Sequence, residues 1–127
     1  MKRGVFIGVL GIYQEDIFID EIGISTHNCF RLKRLQTIEN EICSWDEMII
    51  DMSFVELDEQ GRKTIHCITD KGVILVLNES SKLLVTTLIG TRNQVSRYYD
   101  TCNIFCPKYI MRECRKHERR RMNWIKH

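Results

Sequence analysis

Residues 54–89 combine short apolar runs with clusters of turn-forming residues. Between residues 63 and 69, Ile65 and Cys67 alternate with Thr64 and His66, a period of two that is typical of a β-strand. Because such short connections join antiparallel neighbours, the pattern predicts a three-stranded or larger antiparallel meander. The predicted strands cover residues 54–57, 63–69, 73–77 and 83–89, with turns at residues 58–61, 70–72 and 78–82.

Helical periods flank this meander. Phe30, Leu32, Leu35 and Ile38 form an apolar stripe, which predicts a helix that begins near His27. Ser44 and Glu47 are spaced as a capping box, which predicts the start of a second helix with Trp45, Met48, Ile49 and Met52 on its apolar face.

The two ends of the chain differ in their predicted elements. Residues 5–10 are apolar and β-branched and predict a strand, and residues 17–25 predict a second strand or an extended segment. Residues 92–99 fit either a short helix or a loop. Pro107 suits the first turn of a final helix that runs to about residue 124, with Tyr109, Ile110, Cys114 and Met122 facing inward.

The predicted fold class is therefore α+β: helices followed by a three-stranded or larger antiparallel β meander, with a basic C-terminal helix. A chain of 127 residues fits one domain. Its predicted parts are an N-terminal strand extension over residues 1–25, a helix-plus-meander core over residues 26–99, and the basic helix over residues 107–124.

Charge is divided unevenly along the chain. Residues 107–127 hold eight Lys or Arg and two Asp or Glu, whereas residues 38–60 hold eight acidic residues and no basic one. This separation favours a polyanion-binding C-terminal end. A solvated helix face that pairs with the acidic surface gives the same composition, and the sequence leaves both interpretations open.

The cysteines and the N-terminal apolar run indicate in which cellular compartment the protein is expected. Cys29, Cys43 and Cys67 each stand singly within apolar patterns, as buried free thiols do. The first apolar run is about half the length of a membrane span, and no signal-cleavage pattern follows it. We therefore expect a soluble protein of the reducing cytoplasm with no membrane partner.

Candidate chemistry lies on the first helix and the meander. His27, Arg31 and Arg34 share one helical face, and Lys63, His66, Lys71, Thr86, Thr87 and Arg92 lie on or beside the strands. Cleavage of RNA without a metal needs a proton acceptor, a cation to stabilise the phosphorane and a proton donor, for which His and Arg are suited. A purely structural role for His66, half-buried in its strand, stays open.

The predicted chain order is a helix with His-x3-Arg-x2-Arg, a helix with a capping box, and then the strands from Lys63 to Gly90. This order resembles the RelE, barnase, EndoU and colicin-type ribonuclease superfamily, above all members carried by phages and mobile elements. The resemblance covers residues 26–99. It implies an RNase-like α+β fold, cleavage of RNA without a metal or other cofactor, and often a cognate antitoxin. The residues that match are His27, Arg31, Thr86 and Thr87, which the resemblance implies are catalytic. Leu88 and Ile89 depart from the pattern, in which an aromatic residue often follows the threonine.

Two further sets of residues are candidates for binding. Cys102, Cys106, Cys114 and His117 are four potential zinc ligands, although their spacing does not match that of a common zinc finger. Three ordinary thiols near a helix junction explain the same residues. Arg34, Lys71, Arg92, Arg115, Lys116, Arg119 and Arg120 are candidate nucleic-acid contacts, and Trp124 fits either stacking on a base or anchoring the helix.

Two functions are therefore predicted. The first is an RNA-directed protein that acts as a metal-independent, toxin-like endoribonuclease. The second is a non-enzymatic phage or mobile-element inhibitor that binds a host protein or nucleic acid, as the acidic body suggests. The expected partners are RNA and a cognate antitoxin or a host target protein.

Overall fold

The computed structural model describes residues 8–25 and 29–125, and their side chains except those of residues 29–31 and 121–125. Among these residues, no helix combines the length and the apolar character that crossing a bilayer requires.

Five antiparallel strands form one sheet, in which the spatial order is the order along the chain. The predicted α+β fold with a meander is thus confirmed, and the meander gains a first strand from the N-terminal segment. The strands are β1 (Val9–Ile12), β2 (Ile50–Leu57), β3 (Lys63–Thr69), β4 (Val73–Asn78) and β5 (Leu84–Ile89).

Helices cover both faces of the sheet. Helix α1 (Cys29–Glu41) packs Leu35 and Ile38 against one face, together with Ile65 and Leu75. Helices α2 (Arg92–Thr101) and α3 (Lys108–Ile125) pack on the other face, around Ile68 and Ile74. Because both faces are covered at its centre, β4 is apolar without alternation, and Val73–Leu77 are all buried.

One predicted element is wrong, and for another the structure decides between two predicted forms. The segment after Ser44 forms only a 3₁₀ turn over Trp45–Glu47, since the Ser44 side chain makes no capping hydrogen bond and the backbone is extended again at Met48. From Ile50 onward the chain pairs with β3, so strand pairing prevails over the local helix signal. Residues 17–25, predicted as a second strand or an extended segment, form no strand of the sheet: a 3₁₀ turn over Ile19–Glu21 is flanked by extended backbone at Phe18 and Ile22, and Gly23 forms a single bridge with Leu83.

The C-terminal helix agrees with its prediction. It begins at Lys108, directly after Pro107, and buries Ile110 and Cys114 completely. Tyr109, predicted to face inward, is instead 46% exposed and donates its hydroxyl to Asp51. Residues 92–99, for which a helix and a loop were both open, lie in helix α2, whose N-terminus Thr91 caps by accepting a hydrogen bond from the backbone of Gln94.

Candidate functional site

A row of side chains crosses the sheet on the face that carries α2. The register pairs Phe54 with His66, His66 with Val76, and Val76 with Thr86. Since paired residues on adjacent strands point to the same face, and strands lie about 4.8 Å apart, Thr86 stands roughly 10 Å from His66 along this row. Glu56, paired with Thr64, stands beside the row.

His66 and Glu56 form an ion pair at the centre of this face. The Nε2 of His66 lies 2.9 Å from a carboxylate oxygen of Glu56. The same nitrogen lies 3.2 Å from the Thr64 hydroxyl, which donates to the backbone carbonyl of Glu56. Because that hydroxyl proton is already used, the Nε2 of His66 is assigned as the donor to both oxygens. The side chains of His66 and Glu56 are 11% and 18% exposed, so solvent reaches the pair from the carboxylate side.

Aromatic rings hold the imidazole in place. Phe54 stacks on His66 with ring centroids 5.0 Å apart, and Tyr98 of α2 lies 4.6 Å from Phe54. Burial raises the pKa of Tyr98, a hydrogen bond from Gln94 opposes this shift, and the negative charge of Glu56 adds to it. The Tyr98 hydroxyl therefore keeps its proton at neutral pH. We call Glu56, Thr64, His66 and Tyr98 the sheet-face site.

One arginine lies at the edge of the sheet and another lies on the helix that carries Tyr98. Arg34 of α1 reaches around the open edge of β5, where its Nη1 donates to the Thr86 hydroxyl at 2.6 Å and to the Thr87 carbonyl at 3.2 Å. Arg97 is exposed and follows Gln94 by three residues, on the flank of α2 that also carries Tyr98. The Arg97 guanidinium is suited to binding phosphate beside the Glu56–His66 pair, whereas Arg34 lies at Thr86, roughly 10 Å from His66 and three strands from Glu56.

The predicted catalytic residues are not gathered at one place. His27 lies outside the described residues, as does the side chain of Arg31. Thr86 shares the face of His66, whereas Thr87 pairs with Leu75 and is buried on the opposite face beneath α1. Of the two threonines, Thr86 alone presents its hydroxyl on the face of the Glu56–His66 pair.

The predicted nucleic-acid contacts lie mainly on α3. Exposed cations recur there at helical spacing, and we call them the basic stripe: Lys108, Arg112, Arg115, Lys116 and Arg119. Arg120 is half-buried, and its Nη1 is enclosed without a hydrogen-bond partner among the described residues. The side chain of Trp124 lies outside the described residues.

The remaining two candidates take part in packing contacts. Arg92 forms an ion pair with Glu118 at 3.0 Å, which joins α2 to α3. Lys71 lies in the β3–β4 turn, where its carbonyl is 2.7 Å from Nε2 of His117. Helix α2 thus contacts α3 on one flank through Arg92 and the sheet-face site on its other flank through Tyr98.

The four zinc-ligand candidates do not come together. Among residues 8–25 and 29–125, no three His, Cys, Asp or Glu side chains are grouped as a metal site. Nε2 of His117 is engaged with the Lys71 carbonyl. Burial raises the pKa of the Cys106 thiol to about 11 and that of Cys114 to about 12, so both stay protonated at neutral pH and are poor metal ligands as they stand.

The sequence interpretation missed Glu56 and Tyr98 as site residues. Alternation along β3 places Thr64 and His66 on one face, but the partner strand supplies Glu56, and its register cannot be read from β3 alone. Comparison with protein-family models, curated proteins and solved structures finds no match to this chain. The resemblance to the ribonuclease superfamily stays a prediction.

Proposed function

We propose that this chain is an RNA-directed protein that cleaves RNA at the sheet-face site by proton transfer, without a metal ion. The observation that carries the proposal is the Glu56–His66 pair, 2.9 Å apart on a partly open face of the sheet. A carboxylate fixed by a hydrogen bond on one oxygen can accept a proton from a hydroxyl group that lies within hydrogen-bond distance of it.

The proposed reaction is attack of a ribose 2′-oxygen on the adjacent phosphorus. Glu56, the more exposed member of the pair, takes the proton of the 2′-hydroxyl, while His66 holds the carboxylate in position from below. The bond from phosphorus to the 5′-oxygen then breaks and leaves a 2′,3′-cyclic phosphate. The 5′-oxygen takes a proton from water, and the resulting hydroxide removes the proton from Glu56. Tyr98, which keeps its own proton, donates a hydrogen bond to a phosphate oxygen.

Substrate binding in this proposal depends on the arginines. Arg97, on the flank of α2 that carries Tyr98, neutralises the phosphate on which charge develops, and Arg34 at the edge of β5 binds a more distant phosphate of the same RNA. The basic stripe of α3 lies on the same side of the sheet, beyond α2, and holds a neighbouring part of the RNA backbone. The protein is thus an RNA-binding module with one candidate cleavage centre.

The test is incubation of the purified protein with total RNA in EDTA. Glu56→Gln removes the proton acceptor and keeps the shape of the side chain, so we expect cleavage to fall by about 10²-fold or more. Glu59→Gln is the matched control, because Glu59 is exposed in the β2–β3 turn and contributes nothing to the site. This variant should cleave as the wild type does.

His27→Ala and Arg31→Ala test the residues that the resemblance implies. Cleavage that falls in these variants and survives in Glu56→Gln would move the catalytic centre to the start of α1. Absence of cleavage by folded wild-type protein would contradict the ribonuclease proposal.

A second candidate function is the non-enzymatic inhibitor that binds a host protein. A specific observation favours it: an apolar groove with acidic walls lies away from the sheet-face site. Expression in a bacterial host separates the two candidates. A toxin should arrest growth when expressed alone and recover with Glu56→Gln, whereas an inhibitor should be harmless until its target is present.

A further inference from the structure

A groove of about 640 Å³ lies beside the beginning of β2. Its walls are residues 12–20 of the N-terminal segment, Trp45 and Asp46 of the 3₁₀ turn, and residues 48–53, together with Ile104. The sheet-face residue Glu56 lies toward the other end of β2, so the groove and the sheet-face site are separate surfaces.

Large apolar side chains are exposed along this groove. Ile49 is 67% exposed and Phe18 60%, and Ile12 and Ile104 are each 37% exposed. Single exposed apolar side chains are ordinary, but four around one concave surface are typical of a site that a partner covers. None of these four side chains belongs to either of the two hydrophobic cores.

The charges in the groove have one sign. The charged residues that line it, within the part of the chain that the structure describes, are all acidic: Glu15, Asp16, Asp20, Asp46 and Asp51. Asp51 accepts the hydroxyls of Tyr99 and Tyr109, at 2.5 and 3.2 Å, and Glu15 accepts that of Tyr13 at 3.0 Å. None of the five forms an ion pair with a Lys or Arg of the described residues.

We propose that this groove is the docking site for a basic amphipathic segment of a partner protein. Its apolar side chains would cover Phe18 and Ile49, and its Lys or Arg side chains would lie against Asp20 and Asp46. Charge complementarity selects this occupant, because the negative walls repel nucleic acid and anionic lipid. A segment with one apolar face can bury that face against the apolar side chains of the groove, whereas a uniformly basic segment cannot. The inference goes beyond the proposed cleavage of RNA and does not depend on it.

Fluorescence anisotropy with two labelled helical peptides tests the proposal. One is a 14-residue peptide of Leu and Lys with the Leu residues on one face, and the other replaces each Lys with Glu. We expect the wild-type protein to bind the Leu/Lys peptide and not the Leu/Glu peptide. A peptide of the same Leu and Lys in scrambled order should bind at least about tenfold more weakly, since it has no apolar face.

Surface variants locate the binding. Ile49→Ser and Asp46→Lys alter an exposed apolar and an exposed acidic residue of the groove, and each should weaken binding of the Leu/Lys peptide by about tenfold. Glu59→Lys makes the same charge reversal outside the groove and should leave the affinity within about twofold. All three positions are exposed, so circular dichroism should be unchanged.

Three results would overturn the proposal. One is the absence of Leu/Lys binding by folded protein, and another is equal weakening by Glu59→Lys and Asp46→Lys. The third is a dimer in sedimentation equilibrium that Ile49→Ser dissociates, which would make a second copy of the chain the occupant. Cleavage of RNA by the groove variants is measured in parallel, so failure of the groove and failure of the proposed enzyme are distinguishable.

Discussion

At the scale of single residues, Gly72 combines a left-handed backbone with a close approach to another element. It lies in the β3–β4 turn with a φ of +74°, and a Cβ there would lie 3.2 Å from Sγ of Cys114 and 3.2 Å from Nε2 of His117. The turn thus approaches α3 as closely as a glycine allows. This contact aligns α3 over the end of the sheet, where the Lys71 carbonyl meets His117.

Gly72→Ala should therefore lower the free energy of unfolding by about 2–4 kcal/mol, the sum of a left-handed backbone and overpacking against α3. Gly61→Ala is the control, because Gly61 has a φ of +78° but no atom within 4 Å of its added Cβ. It should lose only the backbone part, about 1–2 kcal/mol. Urea denaturation measures both, and equal losses would show that the contact with α3 tolerates the extra methyl group.

At the scale of elements, α2 and α3 are joined by the Arg92–Glu118 pair. The Glu118 carboxylate accepts hydrogen bonds from the Arg92 guanidinium at 3.0 Å and from its backbone N–H at 2.7 Å, at the first turn of α2. The guanidinium bond, with the backbone bond, lowers the pKa of Glu118 below its ordinary 4.5. The stabilisation is thus present above pH 4.5 and is lost as the pH falls through the lowered pKa of the folded state.

Glu118→Gln should lower the free energy of unfolding at pH 7 by about 0.5–1 kcal/mol, since the pair is partly exposed and screened by solvent. The difference from the wild type should shrink as the pH falls below 4.5 and through the lowered pKa of Glu118, because the carboxyl then becomes protonated in the folded protein. Glu113→Gln is matched to it, because Glu113 pairs with Lys116 within α3 and joins no second element. A loss for Glu118→Gln that is independent of pH, or no larger than that for Glu113→Gln, would contradict a charged link between the helices.

The elements that could be predicted are those whose signal is local. Alternation and short turns defined β3, β4 and β5, and Pro107 marked the start of α3. The Ser44–Glu47 spacing gave a wrong prediction because a capping box reflects only a local preference, whereas seven residues of β2 pair with neighbouring strands.

The candidate site could be predicted only in part, because most of its contacts join residues that are not close in sequence. Thr86 and Arg34 were singled out, and they do meet, at the edge of β5. Glu56 and His66 are ten residues apart, and their contact depends on the register of β2 against β3. Tyr98 reaches them only because α2 crosses the sheet, which no local pattern in residues 92–101 specifies.

At the scale of the whole molecule, opposite charges occupy separate surfaces. The basic stripe runs along α3, and the acidic groove lies between the N-terminal segment and the start of β2. The net charge is only +2, but the basic stripe attracts polyanions and the acidic groove repels them. Binding of RNA should then be localised to α3 and the sheet-face side, and a protein segment of positive charge should bind the groove without competing.

The basic stripe predicts a measurable salt dependence. Arg112, Arg115 and Arg119 are exposed and form no ion pair with a described residue, so each is available to a phosphate. Replacing all three with Gln should reduce the slope of log K against log salt by about 2 for a single-stranded RNA, because each cation contributes about 0.7. Anisotropy with a labelled 12-residue oligouridine measures this slope, in a Glu56→Gln background to prevent cleavage.

Arg62→Gln is the control, since Arg62 is paired with Asp58 in the β2–β3 turn, and the slope of this variant should match that of the background. If the triple variant kept the full slope, RNA would bind elsewhere, and α3 would carry its charge as a solvated helix face.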